Sequence, residues 1–487
     1  MISFTAIPLD LRTPGQYVEI DASQARRGLP VRNPRVLLLG QMLAAGAATA
    51  LTLIRVASRQ GAIDAFGAGS QLAQTAAVFL ALNSSAEVWA LPQVDDGAGV
   101  KATKTVTLTG PATAAGTLSL MIAGRRVLVG VAVDDTATEV AAAIAAAVTA
   151  HADLPVTAGS AAGVATLTAR NAGAAGNGID VRVNYYSDEA TPAGLTVAIA
   201  DGVAGATDAD IADAIAALGD EPFDIFVMPS TTAANLTALE TELADRWGPS
   251  RMLDGLAFTA YRGSQGVLAS FGDGRNSPYV SCIGSKGALN PPWEWAAAYA
   301  ATVAYYGFID PARPFQTLGV PALLPPAEAD RFTRAERELL LRDGISTFTV
   351  DAGGVVTLER AISMYQEDSA GNADTAFLDL NTLLTVSYMR WSVRLRFAQK
   401  FPRHKLASDG VPVAAGAAVV TPKVARVELI AWARDLERAG LLENVDQFKA
   451  DLVVERDASD QNRLNALIPP DLVNQFIAFA AKIQFRL

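Results

Sequence analysis

The stretch Phe223-Asp224-Ile225-Phe226-Val227-Met228, with Thr232 to Trp247 and the short apolar run Leu256 to Ala260 behind it, decides the fold class. It reads as buried strand, helix, buried strand, with Ser230 or Thr231 available to cap the helix. Short apolar strands alternating with helices build a mostly parallel sheet covered on both faces.

Working outward extends the pattern. Downstream, Tyr279 to Ile283 gives a further strand and Trp293 to Tyr306 a helix, which is too short for a bilayer crossing of roughly 20 residues. Upstream, Asp208 to Leu218 reads as a helix. Beyond an interruption, Val36 to Leu39, Ser70 to Leu82 and Glu87 to Leu91 repeat strand, helix, strand. The expected class is α/β, with an open, mostly parallel sheet domain split between residues 35–96 and 207–326. The interruption, 97–206, differs in kind. Thr105–Leu108, Thr117–Ile122, Arg126–Val131, Ala165–Ala169, Ile179–Asn184 and Thr196–Ala200 look like short strands between Gly-rich turns, around the helix Ala137–Ala150. It is expected to be an inserted β-rich domain, since surface loops tolerate insertions.

Residues 327–471 are expected to form an α+β domain. Thr333 and Glu336 make a capping box for a helix through Leu341. Strands Thr347–Val350 and Val355–Leu358 flank a turn, and helices follow at 376–397 and 424–439, the second ended by Gly440. Both chain ends read as extended strand arms. In residues 1–34 four prolines surround a segment in which Tyr17, Glu19 and Asp21 alternate with Val18 and Ile20. In residues 472–487, Val473, Ile477, Phe479, Ala481, Ile483, Phe485 and Leu487 share one parity, while Asn474, Lys482, Gln484 and Arg486 take the other. A period of two marks a strand with one apolar face, which needs a sheet to join.

Composition narrows the chemistry. Of 487 residues 51% are apolar and 18% charged, enough for large cores and too apolar for disorder. Fifty acidic against 39 basic residues disfavour a chain that coats nucleic acid. The single cysteine, Cys282, excludes an intramolecular disulfide and fits a reducing compartment. No basic, then apolar, leader is visible at the start. Neither phosphate-binding glycine motif occurs, and with His151 and His404 the only histidines and no GxSxG serine, triad catalysis lacks its parts. The acidic pairs Asp95-Asp96, Asp134-Asp135 and Asp208 with Asp210 fit turns and helix starts. No catalytic, cofactor or metal site is expected. The strongest charge feature is the basic stretch holding Arg390, Arg394, Arg396, Lys400, Arg403 and Lys405. It reads as a solvated helix face or as a surface for an acidic protein partner.

The C-terminal third carries a specific resemblance. Phe377-Leu378-Asp379-Leu380-Asn381-Thr382, Ser387-Tyr388-Met389-Arg390, Ala398 to Leu406, Thr421 to Arg426, Glu443 to Lys449 and Pro469 to Gln475 resemble the tail sheath proteins of Mu-like contractile phages, as do Gly284 to Leu289 and Pro291 to Glu294. The resemblance implies a structural subunit of a virion tail, assembled in the host cytoplasm and polymerising with itself around a tail tube protein between baseplate and tail terminator proteins. It implies contraction without nucleotide hydrolysis, with no nucleic acid partner and no membrane insertion. Arms holding Tyr17, Val18, Glu19 and Ile20, and Ile477, Phe479, Ile483, Phe485 and Leu487, would add strands to neighbouring subunits. Arg394, Arg396, Lys400, Arg403 and Lys405 would face the tube or a neighbour, and excising 97–206 would leave polymerisation intact. Rival readings are the sheath of a phage-tail-like bacteriocin or injection system, an α/β hydrolase, and a surface adhesion protein.

Overall fold

A computed structural model describes residues 13, 15, 30–412, 414 and 416–486. The segment read as the N-terminal strand (Tyr17, Val18, Glu19, Ile20) and the last residue, Leu487, lie outside the described residues. The chain divides into two compact units. The larger holds residues 32–387 and the chain from 474 onward, and the smaller holds 388–473 with Pro30 and Val31.

The larger unit opens with β1 (Arg35–Gln41), β2 (Ile54–Arg55), α1 (Arg59–Phe66), α2 (Gln71–Leu82) and β3 (Glu87–Gln93). A β-rich segment interrupts: β4 (Thr103–Thr109), β5 (Gly116–Ile122), β6 (Arg125–Val131), α3 (Ala137–Ala150), β7 (Val156–Ala161), β8 (Val164–Ala169), β9 (Val181–Val183) and β10 (Thr196–Asp201). The first pattern then resumes with α4 (Ala212–Leu218), β11 (Ile225–Val227), α5 (Ala233–Trp247), β12 (Leu256–Tyr261), α6 (Gln265–Asp273), β13 (Val280–Gly284), α7 (Pro292–Ile309), α8 (Arg334–Arg342), β14 (Ile345–Val350) and β15 (Val356–Arg360). Eight strands share one sheet in the order β15-β14-β13-β12-β11-β1-β3-β2, parallel from β14 to β3, with antiparallel strands at both ends.

Burial explains the composition of these strands. In β1 every residue from Val36 to Gln41 is buried, because helices cover both faces of a parallel sheet. α7 begins with Pro292, whose fixed φ suits a first helical turn. It is buried on all sides from Pro292 to Ala304, and its alanines let α2 lie close against it. The cap of α5 departs from expectation. Thr232 occupies that position, and the Ser230 hydroxyl donates instead to Asp208 Oδ2 at 2.5 Å.

The interrupting segment has a hydrophobic core of its own, built from Val106, Leu118, Leu120, Val127, Ile144 and Leu167 among others. Its strands form two antiparallel sheets, β10-β4-β8-β7 and β6-β5-β9. α3 is held at its start by a reciprocal Thr136/Glu139 capping box.

α9 (Leu380–Lys400) contributes residues to both units. The smaller unit adds β16 (Lys405–Leu406), β17 (Val419–Val420), α10 (Pro422–Arg438), β18 (Leu442–Glu443), α11 (Val445–Asp451), β19 (Val453–Arg456), β20 (Leu464–Leu467) and β21 (Asp471–Leu472). α10 buries Ala425, Leu429, Trp432, Ala433 and Leu436, one stripe of a 3.6-residue period. The Trp432 indole donates to Ser392 Oγ at 3.0 Å, giving its one polar atom a partner inside the core.

Candidate assembly surfaces

The chain from Asn474 to Arg486 forms neither helix nor strand. The sequence reading expected a strand here, and the difference has a simple cause. A ladder needs a second backbone, and among the described residues none pairs with this segment. Its apolar parity stands in water: Phe479 is 80% exposed, Ile483 89% and Phe485 79%, with Ile477 at 36%. Phe476, on the other parity, is also exposed and was missed by the periodic reading. A contiguous run of exposed large apolar side chains on a folded chain marks an interaction site. The root of the arm is fixed, since Gln316 Nε2 donates to the Phe476 carbonyl at 3.1 Å and Gln475 Nε2 to the Ala312 carbonyl at 3.4 Å.

The smaller unit carries open sheet edges. Among the described residues β18 pairs only with β21 and β19 only with β20, both antiparallel. A two-stranded ribbon is marginal by itself and exposes unpaired backbone groups. On the β19–β20 ribbon the cross-strand partners Val453 and Leu467 are both exposed. Its short strands had left it unread in the sequence.

The basic stretch splits in two. Arg396 binds Glu428 and reaches Asp435 Oδ2 at 2.7 Å, while Lys400 Nζ lies 2.7 Å from Glu428 Oε2. These two cations clamp α9 to α10, an internal role that sequence could not distinguish. Burial alone would raise the Glu428 carboxyl, but hydrogen bonds from Lys400 and Arg396 outweigh it and hold the group below the usual carboxylate range. Arg394, Arg403 and Lys405 are exposed and make no ion pair among the described residues. They remain available to a partner.

Among the described residues neither Ser230 nor the two histidines stand in a catalytic arrangement. Ser230 Oγ has Asp208, Thr232 and Asn235 as partners, none of which can take its proton as a histidine would. His151 is the C-cap of α3, and His404 lies edge-on against the Phe401 ring. Small-molecule sites of open α/β sheets lie beyond the strand ends where the chain order reverses, here between β1 and β11. The crevice there, lined by Gln41, Gln71, Gln93, Ala175 and Asp208 among others, has a volume of about 10 Å³, room for little more than a water molecule. Among the described residues no three His, Cys, Asp or Glu side chains converge as metal ligands, and no helix is long and apolar enough to cross a membrane. Cys282 is buried, and burial pushes its thiol well above the ordinary range.

Comparison with known proteins shows the family. Residues 204–364 match the family model of the phage tail sheath protein central domain and residues 372–486 that of the phage tail sheath C-terminal domain. A Mu-like prophage tail sheath protein of Haemophilus influenzae is 45% identical over 484 residues, 99% of either chain. The chain belongs to the phage tail sheath family. Sheath proteins of this family are structural proteins, and the family is not one of enzymes. Solved sheath tail proteins share the fold at low identity. That of Desulfitobacterium hafniense is 13% identical with a TM-score of 0.51, covering 95% of this chain and 97% of its own. That of Listeria innocua is 13% identical with a TM-score of 0.50, covering 93% and 94%.

Proposed function

We propose that this chain is the polymerising subunit of a contractile phage tail sheath, which wraps the tail tube and contracts to drive it through the host envelope for genome ejection. The observation that carries the proposal is the arm 477–486, an alternating apolar segment that finds no ladder among the described residues. Strand addition to another subunit would bury its apolar parity and satisfy its backbone at once. The β19–β20 ribbon, with Val453 and Leu467 exposed, is an acceptor of the right kind. Tyr17 to Ile20 would supply a second donor strand. Arg394, Arg403 and Lys405 would meet the tube or a neighbouring subunit, with baseplate and tail terminator proteins at the two ends.

Contraction would draw on free energy stored at assembly, each subunit moving nearly as a rigid body while the arms act as hinges. The domain layout goes with it: a split core at 35–96 and 207–387, which takes β14 and β15 into its sheet rather than ending at 326, an outward insertion at 97–206 and a C-terminal unit at 388–473. The experiment is sedimentation velocity of the full chain and of a chain ending at Val473, each mixed with tube protein. The full chain should form large polymers and the truncated chain only folded monomers. Polymers of the truncated chain would contradict strand exchange.

A further inference from the structure

The inserted segment borrows from the core it interrupts. Trp293 and Trp295 stand two residues apart in α7, yet Trp293 belongs to the hydrophobic core of the insert and Trp295 to that of the main sheet. The Trp293 indole donates to Gln74 Oε1 at 2.8 Å, and the amide of Gln74 donates to the Asp153 carbonyl of the insert. One residue on, Glu294 is buried between Arg125 of the insert, at 2.9 Å, and Asn290, at 2.7 Å. Gly178 lies so close to α7 that a Cβ there would meet the Pro292 ring at 2.5 Å.

Charge fixes the register of this contact. Asp180, almost fully buried, accepts from Arg182 of the insert at 2.7 Å and from Arg262 of the core at 2.5 Å. Arg182 continues to Asp330 at 3.0 Å and to the Gly287 carbonyl at 2.8 Å. Buried charges are weak sources of net stability, but they penalise every arrangement in which they lose their partners. The connecting chains are tied down as well. Val100 and Ala206 form a β-bridge at the neck, and Asp95 is held by Gln41, Asn171 and the Ala172 amide.

We propose that the inserted segment and the α/β core are one cooperatively folding rigid body, locked at Asp180 and Trp293, so that the insert follows every movement of the core without a hinge of its own. Two separate hydrophobic cores would ordinarily suggest two bodies. Here the shared helix and the buried charges join them. The inference stands independently of how subunits assemble.

Native-state hydrogen exchange of the full chain in rising urea tests it. Amides of β5 and β6 should lose protection in the same step as those of β12 and β13. Earlier, separate loss from the insert would overturn the proposal. In Asp180→Asn the two steps should part, with the insert opening at lower urea, and unchanged coincidence would remove Asp180 from the lock. Should that variant not fold, Arg262→Gln makes the same cut from the core side and is read in the same way. Excision of 97–206 with Trp293 left in place, which the sequence reading expected to leave polymerisation intact, should instead give an insoluble chain because it bares Trp293, so a soluble, folded product would also overturn the proposal.

Discussion

Arg396 and Lys400 close on one carboxylate from successive turns of α9, and that clamp contributes to how the smaller unit responds to acid, as do the lowered carboxyls of Asp409, Asp446 and Asp457. Glu428 binds its proton less readily in the fold than at its ordinary value of about 4.3. Its stabilisation is therefore complete above that value and disappears as pH falls through the lower folded one. Thermal unfolding followed between pH 5 and pH 3 should show a falling midpoint, and Glu428→Gln should flatten that part of the curve. Arg396→Ala should cost about 1–2 kcal/mol, less than the ~3–5 kcal/mol of a fully buried pair, because Arg396 and Asp435 keep some contact with water. Urea denaturation measures it. The exposed cations behave differently. Replacing Arg394, Arg403 and Lys405 with glutamate should leave the unfolding midpoint unchanged and weaken assembly on tubes, and pelleting with tube protein would report it. Sequence grouped all five cations together, because the carboxylates that neutralise two of them lie on another helix and come near only in the folded chain.

At the scale of elements, the arm and the ribbon make one testable pair. If strand addition joins subunits, aspartate at Val453 and Leu467 should reduce polymerisation as strongly as loss of the arm while leaving the monomer folded. Circular dichroism and sedimentation velocity together would check this. Element type was legible where period and length were strong. α2, α3, α5 and α10 follow their apolar patterns, and β1, β3, β12 and β13 follow their continuous apolar runs. α6 was overlooked because Gly266 and Gly272 give it the look of a loop. α11 and the β19–β20 ribbon are only seven and four residues long, too short to establish a period. The alternation of the arm, and its need of a sheet to join, were legible, but not that the segment would lack strand structure among the described residues, since periodicity reports which face wants burial and says nothing of where the covering backbone comes from.

For the whole molecule, the alternation of short apolar strands with helices was sufficient to give the α/β class, and the family comparisons place that fold among tail sheaths. What the sequence could not convey is how tightly the insert is built into its host, because the deciding contacts join Asp180 to Arg262 and Trp293 to Gln74 across long separations in the chain. The central claim is that subunits are joined by exchanged strands, and a helical reconstruction by electron cryomicroscopy of the protein assembled on its tube tests it most directly. The account predicts continuous density carrying residues 477–486 into the sheet of a neighbouring subunit. Density that folds those residues back onto their own subunit, with subunits touching only through side chains, would contradict it.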